Sequence, residues 1–273
     1  MKIEAKIVGL EHAVTTGRYA IWHFDELEIR SFLLTSAKGM SAWFASKEEE
    51  AEIEARKSFD PHMYQGDEGY THFMDEVGIF WEQYWQQLSA AVIKDAFTLF
   101  EVFLEESAHE LLRRYGSGLK KLSTEGTWLL EQCNQFYEDY LGVTITTPAI
   151  QNVQWIRNKL SHLRNSFRTA EGKNDFAERI AALGIRGKET EYESVWGLPN
   201  EDHDASSLMT GSLVLTPLES WRILDLIRRN VEELTLVLHG IQYGSNTTPA
   251  LENLRAGKTV RNRDDKLLSI PVP

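Results

Sequence analysis

The sequence has little cysteine and no long apolar run. Cys133 is the single cysteine among 273 residues, so no disulfide can form within the chain. The N-terminus lacks a basic run followed by an apolar stretch and a small-residue cleavage site, which predicts a cytoplasmic protein. No apolar run approaches the roughly 18 residues that indicate a membrane span, so we expect no membrane association.

Signatures of several large enzyme classes are also absent. The chain has no G-x-x-x-x-G-K-[ST] loop, no G-x-S-x-G elbow and no G-x-G-x-x-G turn between a strand and a helix. Nucleotide hydrolases, esterases and dinucleotide enzymes therefore have no support. His62 and His72 lie near Asp60 and Asp67, but this spacing matches no usual zinc signature. We expect neither a metal nor a cofactor.

What is present is a helical pattern of apolar residues. The composition, 42% hydrophobic and 11% aromatic, suffices for a sizeable core. Apolar residues recur at helical spacing, which predicts an all-α protein. The helices are predicted at 67–88, 90–116, 127–142, 146–167, 174–183 and 217–240, with 20–36 and 43–58 also helical in pattern. The segment "KIEAKIV" near the N-terminus could be a strand.

Helix ends carry recognisable signals. Thr147 followed by Pro148 suits a cap and a first helical turn, and Gly142 suits a helix end. Thr216 is a second predicted cap, and Gly240 is expected just past the end of the last long helix.

A small β-hairpin is expected between the last two helices. The segments "TEYESVW" (190–196) and "SLVLT" (212–216) are short and alternating or β-branched. The turn-rich "GLPNEDHDASS" lies between them.

The chain is predicted to have three parts. Residues 1–66 form an N-terminal extension that is partly helical, and residues 67–240 form the main helical domain. Residues 241–273 are polar and carry Pro, Gly and Asn, which predicts a flexible tail.

The net charge of −12 argues against a nucleic-acid partner, because phosphate binding depends on Lys and Arg. The distribution of charge argues otherwise. Between Asp139 and Glu171 there is no acidic residue. This acid-free window contains the basic residues Arg157, Lys159, Arg164 and Arg168. It predicts a phosphate-binding patch on an acidic body, although a helix can also lack acids by chance.

The stretch "QWIRNKLSHLRNSF" (154–167) lies inside this window. At about 100° per residue, one stripe of the helix is apolar and is predicted to be buried. This stripe consists of Ile156, Leu160, Leu163 and Phe167. Arg157, Asn158 and His162 fall on the polar face. The planar fork of arginine suits a phosphate, and histidine suits proton transfer near neutral pH.

The bare pattern R-x4-H has little specificity. A second copy runs from Arg18 to His23 in "RYAIWH". Only the copy from Arg157 to His162 has an Asn after the Arg and lies in the acid-free window.

This segment resembles the active-site helix of HEPN-domain proteins. The family motif is an Arg, then usually a polar Asn, Asp or His, then a few variable residues and a His, here Arg157, Asn158 and His162. The resemblance extends to helix order over roughly residues 67–240, with a long helix carrying "FTLFEVFLEE" ahead of the motif helix. It implies a HEPN-like helical bundle with a small hairpin.

The resemblance also implies roles. Many members of the family are metal-independent ribonucleases of toxin–antitoxin, abortive-infection and RNA-processing systems. His162 would then exchange protons, Arg157 would hold the phosphate and Asn158 would orient one of them. Glu101 is a candidate to orient Arg157, with Glu105 and Glu106 as alternatives and a structural ion pair as the competing interpretation.

RNA-binding roles are assigned to the other basic residues of the window, and Trp155 could stack a base or pack an interface. These RNA-binding candidates are Lys159, Arg164, Arg168 and Trp155.

The expected function is cleavage of RNA through attack of its own 2′-OH, in a toxin or anti-phage defence effector. Family members place two motifs across a dimer, which implies a homodimer with the motif helices at the interface. An antitoxin or regulatory protein is a further expected partner. Other members lack nuclease activity, so the alternative is a module that binds a protein partner or a nucleotide.

Overall fold

The computed structural model describes residues 16–57, 69, 71, 73, 77, 81–115, 128–162, 170–199 and 214–256. Within these ranges the helices are α1 (Gly17–Lys57), α2 (Trp81–Tyr115), α3 (Leu130–Leu141), α4 (Pro148–His162), α5 (Ala170–Leu183), α6 (Glu191–Ser194), α7 (Pro217–Gln242) and α8 (Pro249–Arg255). The described residues contain no strand, which confirms the predicted all-α class. None of the described helices is both long and apolar enough to cross a membrane.

Three predicted helix-end signals are confirmed. Gly142 ends α3 with a φ of 68°, and its N–H donates to the carbonyl of Glu138. Thr147 precedes α4, and its hydroxyl accepts from the Ile150 N–H at 3.3 Å. Thr216 caps α7, where its hydroxyl accepts from the Glu219 N–H at 3.0 Å. Local chemistry therefore sets where these helices begin and end.

Two helices are longer than predicted. The single helix α1 covers both predicted segments of the N-terminal region and contains Gly39 in its interior. The helix α2 continues through Ser89, where a boundary between two helices was predicted. Ser89 is buried, and its hydroxyl donates to the carbonyl of Leu215 at 2.8 Å. This hydrogen bond satisfies the polar side chain inside the helix, so the helix continues where the sequence suggested a boundary.

The hairpin prediction is wrong where the structure describes it. Thr190 and Glu193 form a reciprocal cap, with Thr190 N–H donating to Glu193 Oε2 at 2.7 Å and Glu193 N–H donating to Thr190 Oγ1 at 3.3 Å. This capping box starts the one-turn helix α6 in place of a strand. Val214–Thr216 leads into α7 without strand structure. Residues 200–213, between the two segments, lie outside the described residues.

The C-terminal region also differs from the prediction. The helix α7 runs two residues past Gly240, and α8 forms in a segment predicted to be tail. The predicted strand at 2–8 and the tail beyond residue 256 lie outside the described residues.

The chain divides into two compact units, each made of separate segments. The first unit comprises 1–28, 95–155 and 224–273, and the second comprises 29–94 and 156–223. The predicted domain boundaries near residues 67 and 241 stay predictions.

Aromatic side chains dominate the core of the first unit. Tyr137 is fully buried, and its hydroxyl donates to the carbonyl of Leu104 at 2.7 Å. Phe136 and Tyr140 hold their ring centroids 4.9 Å apart. The hydroxyl of Thr248 donates to the Tyr140 carbonyl, which ties the start of α8 to α3.

A buried ion network in the same unit joins α1 to α7. Arg228 is 4% exposed and donates to Glu232 at 2.9 Å and to Glu26 at 3.4 Å. The hydroxyl of Tyr19 donates to Glu232 at 3.1 Å. Burial and the charge of Glu232 raise the pKa of Tyr19 to about 12, so its hydroxyl remains a donor at neutral pH. The buried cation is thus paired, as a charge taken out of water must be.

The core of the second unit contains two tryptophans and a buried cation. The rings of Trp196 and Trp221 have centroids 4.7 Å apart, and the guanidinium of Arg30 lies 4.5 Å from the centre of the Trp221 ring. Arg30 is fully buried. A cation over a tryptophan face is stabilised by the ring quadrupole, more so when water is excluded.

An ion pair in the second unit holds the segment between α5 and α6. Arg222 donates to Glu193 at 2.6 and 2.7 Å and to the carbonyls of Ile185, Gly187 and Lys188. One guanidinium therefore satisfies three carbonyls that no helix or strand pairs.

Glu193→Gln should destabilise the protein by about 2 kcal/mol at neutral pH, because the variant keeps the shape and loses the charge. The Arg222 guanidinium, with the Thr190 N–H and hydroxyl, lowers the pKa of Glu193 from 4.5 to about 2. A lowered folded-state pKa gives stability that is present above the unfolded value and is lost as the pH falls. Urea unfolding at several pH values should show the difference between the two proteins shrink from about pH 5 to about pH 2. A difference that stays constant over this range would contradict the assignment.

Candidate functional site

The connector before α4 is fixed by an asparagine of α3. The Asn134 side-chain oxygen accepts from the N–H of Ile145 at 2.7 Å and from the N–H of Thr146 at 2.9 Å. Thr147 then caps α4, and the Gln151 amide donates to the Thr146 carbonyl at 3.1 Å. The start of α4 is therefore anchored to α3. Sequence reasoning did not single out Asn134, since nothing local marks an amide whose partners lie 11 and 12 residues further along the chain.

One face of α4 is apolar and buried, as predicted. Its buried residues are Ile150, Val153, Ile156 and Leu160. The predicted stripe is thus confirmed at Ile156 and Leu160. Leu163 and Phe167, its other predicted members, lie outside the described residues. Burial of this face fixes which side of the helix points to solvent.

The polar face of α4 presents an arginine bonded to its neighbouring asparagine. Arg157 Nη1 donates to Asn158 Oδ1 at 3.1 Å, and Asn158 is exposed. Arg157 and Lys159 are half-exposed. The Ser161 hydroxyl donates back to the Arg157 carbonyl at 2.8 Å. The Arg157–Asn158 pair therefore stands at the protein surface, with its guanidinium held by the amide oxygen.

The remaining motif residues are only partly described. His162 is the last residue of α4, and its side chain lies outside the described part of the structure. Arg164 and Arg168 also lie outside them. Trp155 is half-buried on the same helix. The grouping of His162 with Arg157 and Asn158 stays a prediction.

The carboxylates considered as partners of Arg157 lie on α2. Burial, followed by the charges of Glu105 and Glu101, raises the pKa of Cys133 to about 12, so both carboxylates act on α3. Glu106 accepts from Arg18 at 2.9 Å. Orientation of Arg157 by Glu101 stays a prediction.

The second R-x4-H copy is part of the framework of the first unit. Arg18 pairs with Glu106 at 2.9 Å and with Glu110 at 3.4 Å. The Nδ1 of His23 accepts from Arg228 at 2.9 Å, and its ring stacks on Tyr19 with centroids 5.6 Å apart. Both side chains thus have partners from distant parts of the chain. This accounts for their presence without a role in chemistry.

Among the residues that the structure describes, no three His, Cys, Asp or Glu side chains are grouped to hold a metal ion. His62, His72, Asp60 and Asp67 are outside that set. Comparison with models of known protein families, with curated proteins and with solved structures finds no match. The resemblance to HEPN proteins therefore rests on the motif and the helix order.

The two faces of α4 should respond differently to truncation. Ile156→Ala removes a fully buried side chain and should destabilise the protein by about 2–5 kcal/mol. Arg157→Ala removes a half-exposed side chain, so the change should stay within about 0.5 kcal/mol. Urea unfolding of both variants beside the native chain measures this. A large loss of stability in Arg157→Ala would mean that the arginine supports the fold instead of the surface chemistry.

Proposed function

We propose that this chain is a metal-independent endoribonuclease whose reacting groups are Arg157, Asn158 and His162. The observation that carries the proposal is the exposed Arg157–Asn158 pair on a helix whose sequence window has no acidic residue. A surface arginine is suited to bind an anion. Its planar guanidinium can donate two parallel hydrogen bonds to a phosphate.

The side chains suggest how the reaction proceeds. The 2′-oxygen of the RNA loses its proton to a base and bonds to the adjacent phosphorus. The P–O5′ bond breaks, and the 5′-oxygen takes a proton from an acid. Arg157 stabilises the charge that develops on the phosphate, and Asn158 holds the guanidinium in place. His162 serves proton transfer near neutral pH.

The charge distribution supports RNA as the substrate. A body with a net charge of −12 repels a polyanion over most of its surface. The window between Asp139 and Glu171 contributes no negative charge of its own. Lys159, Arg164 and Arg168 would contact phosphates there, and Trp155 would stack a base.

A homodimer would complete the acid–base chemistry. One motif offers one histidine, whereas cleavage uses a base and an acid. A two-fold axis beside the motif helices would supply a second copy, because an isologous interface presents the same patch twice. The biological setting implied by the resemblance is a toxin or anti-phage defence effector, held in check by an antitoxin or another regulatory protein.

His162→Ala and Arg157→Ala should each lower the rate of RNA cleavage by at least roughly a hundredfold, because each removes a group that acts in the transition state. The assay is digestion of total RNA by purified protein. Matched controls are His239→Ala and Arg229→Ala, which remove the same residue types from a different helix, α7, and should retain the native rate.

Equal loss of activity in the α7 controls would refute the assignment of the motif. A native chain that cleaves no RNA, yet binds a nucleotide or a protein through Arg157, would identify the nuclease-inactive module instead. A monomeric mass by light scattering under conditions of full activity would exclude the shared active site.

The products should carry a 2′,3′-cyclic phosphate or its hydrolysed form, because the nucleophile belongs to the substrate. Cleavage should continue in EDTA and should fail on DNA of the same sequence, which lacks the 2′-OH. The rate should fall with added salt, since recognition depends on cations that meet phosphates. Product analysis by mass spectrometry, with and without EDTA, provides the measurement. Cleavage that EDTA abolishes and magnesium restores would exclude this mechanism.

A further inference from the structure

One side of the first two turns of α1 is apolar and open to solvent. Ile21 is 58% exposed and Phe24 is 65% exposed, and Gly17 and Ala20 are also exposed. At about 100° per residue, these four positions fall within about 100° of one another over a length of about 10 Å. A Cβ placed on Gly17 would meet no other atom within 4 Å. The four residues therefore form one contiguous apolar surface, here called the α1 start patch.

The α1 start patch ends at a carboxylate. Glu28 is exposed and lies about one turn beyond Phe24, within the same sector of the helix. Glu28 forms no ion pair with any residue that the structure describes. Glu26, by contrast, is buried and accepts from Arg228, so its charge is not part of this surface. Along the exposed side, α1 thus presents apolar residues first and an unpaired acid second.

The residues that precede Thr16 are rich in apolar side chains. Eight of these fifteen are apolar, namely Met1, Ile3, Ala5, Ile7, Val8, Leu10, Ala13 and Val14. Ile3 and Ile7 share one side of the chain in a helix and in a strand alike, because four residues are about one turn of a helix and two repeats of a strand. Such a segment gains free energy when these side chains leave water for an apolar surface.

The size of the α1 start patch argues for a covering segment from the same chain. The patch is about 10 Å long and about as wide as a helix, whereas a stable contact between separate proteins buries about 800 Å² on each side. A tethered segment needs far less contact, because the tether holds it at a millimolar effective concentration. Residues 1–15 join the helix directly at the patch, since Gly17 is the first residue of α1.

The order of charges on the segment matches that on α1. Counted back from Thr16, residues 14–7 contain a single charged side chain at neutral pH, Glu11, and Lys6 comes next. Ten extended residues reach about 33 Å, and Glu28 lies about 17 Å from the start of α1. A segment that turns back along the helix therefore has the length to place Ile7 on the patch and Lys6 beside Glu28.

We propose that residues 3–10 fold back along α1 and cover the α1 start patch. Ile7 packs against Ile21 and Phe24, and Lys6 pairs with Glu28. The contact is intramolecular, so it forms in each copy of the chain independently. It uses no residue of the motif helix and does not depend on the proposed cleavage of RNA.

Hydrogen exchange measured by mass spectrometry tests the contact in the full chain. Amides of residues 3–10 should exchange at least tenfold more slowly than the same residues in a free peptide, because the docked segment is withdrawn from solvent. Phe24→Ser and Ile21→Ser, as separate proteins, should each bring the exchange to within about twofold of the free peptide. Tyr243→Ser removes a side chain of matching exposure, 64%, from α7 and should leave the protection unchanged.

Two spin labels test where the segment lies. Labels at Ala5→Cys and Arg229→Cys should give one narrow distance distribution by double electron–electron resonance. The native Cys133 is buried and should stay unlabelled. Phe24→Ser should broaden the distribution, whereas Tyr243→Ser should leave it narrow. Circular dichroism confirms that each variant is folded, and Ile21→Ser repeats the test without a change at Phe24.

Charge exchange tests the direction in which the segment runs. Glu28→Lys and Lys6→Glu should each lower the exchange protection of residues 3–10 by about threefold, since an exposed ion pair contributes little. The double variant restores opposite charges and should return the protection to the native value. Losses that add in the double variant would overturn the alignment of the segment along α1.

Three further results would overturn the proposal. Residues 3–10 that exchange as fast as the free peptide in the native chain are not docked. A narrow distance distribution that Phe24→Ser and Ile21→Ser leave unchanged would place the segment on another surface. Protection that rises between about 1 and about 100 µM protein would show that a second copy, and not the tethered segment, covers the α1 start patch.

Discussion

The pairing of buried charges is the constraint on which both units depend. Arg228 would cost several kcal/mol if it were buried alone, so its position requires Glu26 from α1 and Glu232 one turn further along α7. That requirement fixes the packing of α1 against α7 within the first unit. In the second unit Arg222 has the same role, because the chain after α5 is held by its bonds to three carbonyls and Glu193. Apolar burial brings the helices together, and these two cations determine their register.

Much of the fold could be predicted from local sequence signals. Gly142, Thr147 and Thr216 mark helix ends because capping depends on residues within one turn, and such signals can be recognised without tertiary information. The error at 190–196 has a local cause as well. Alternation in "TEYESVW" indicates a strand, but the Thr190–Glu193 capping box in the same residues indicates a helix and prevails. Ser89 was misinterpreted for a different reason, since its partner Leu215 is 126 residues away.

The candidate site was predictable only where it depends on helical periodicity. The buried positions Ile156 and Leu160, and the exposure of Asn158, follow from a rotation of about 100° per residue. The hydrogen bond from Arg157 to Asn158 depends on rotamers, which periodicity does not determine. The contribution of Asn134 depends on how α3 meets the connector in three dimensions. For the same reason, the ion pair of Arg18 and the hydrogen bond that His23 accepts from Arg228 distinguish this copy of the motif from the surface copy only once the fold is known.

The buried thiol of Cys133 gives α3 a built-in reporter of local opening. Only the thiolate reacts with alkylating agents, and burial together with the charges of Glu105 and Glu101 raises its pKa to about 12. In the closed state Cys133 is therefore both inaccessible and protonated. Its rate of modification is governed by how often α3 separates from its neighbours. Because Asn134 is the next residue, the same opening event breaks its hydrogen bonds to the connector before α4. The modification rate of this one thiol therefore reports how often the start of the motif helix is released.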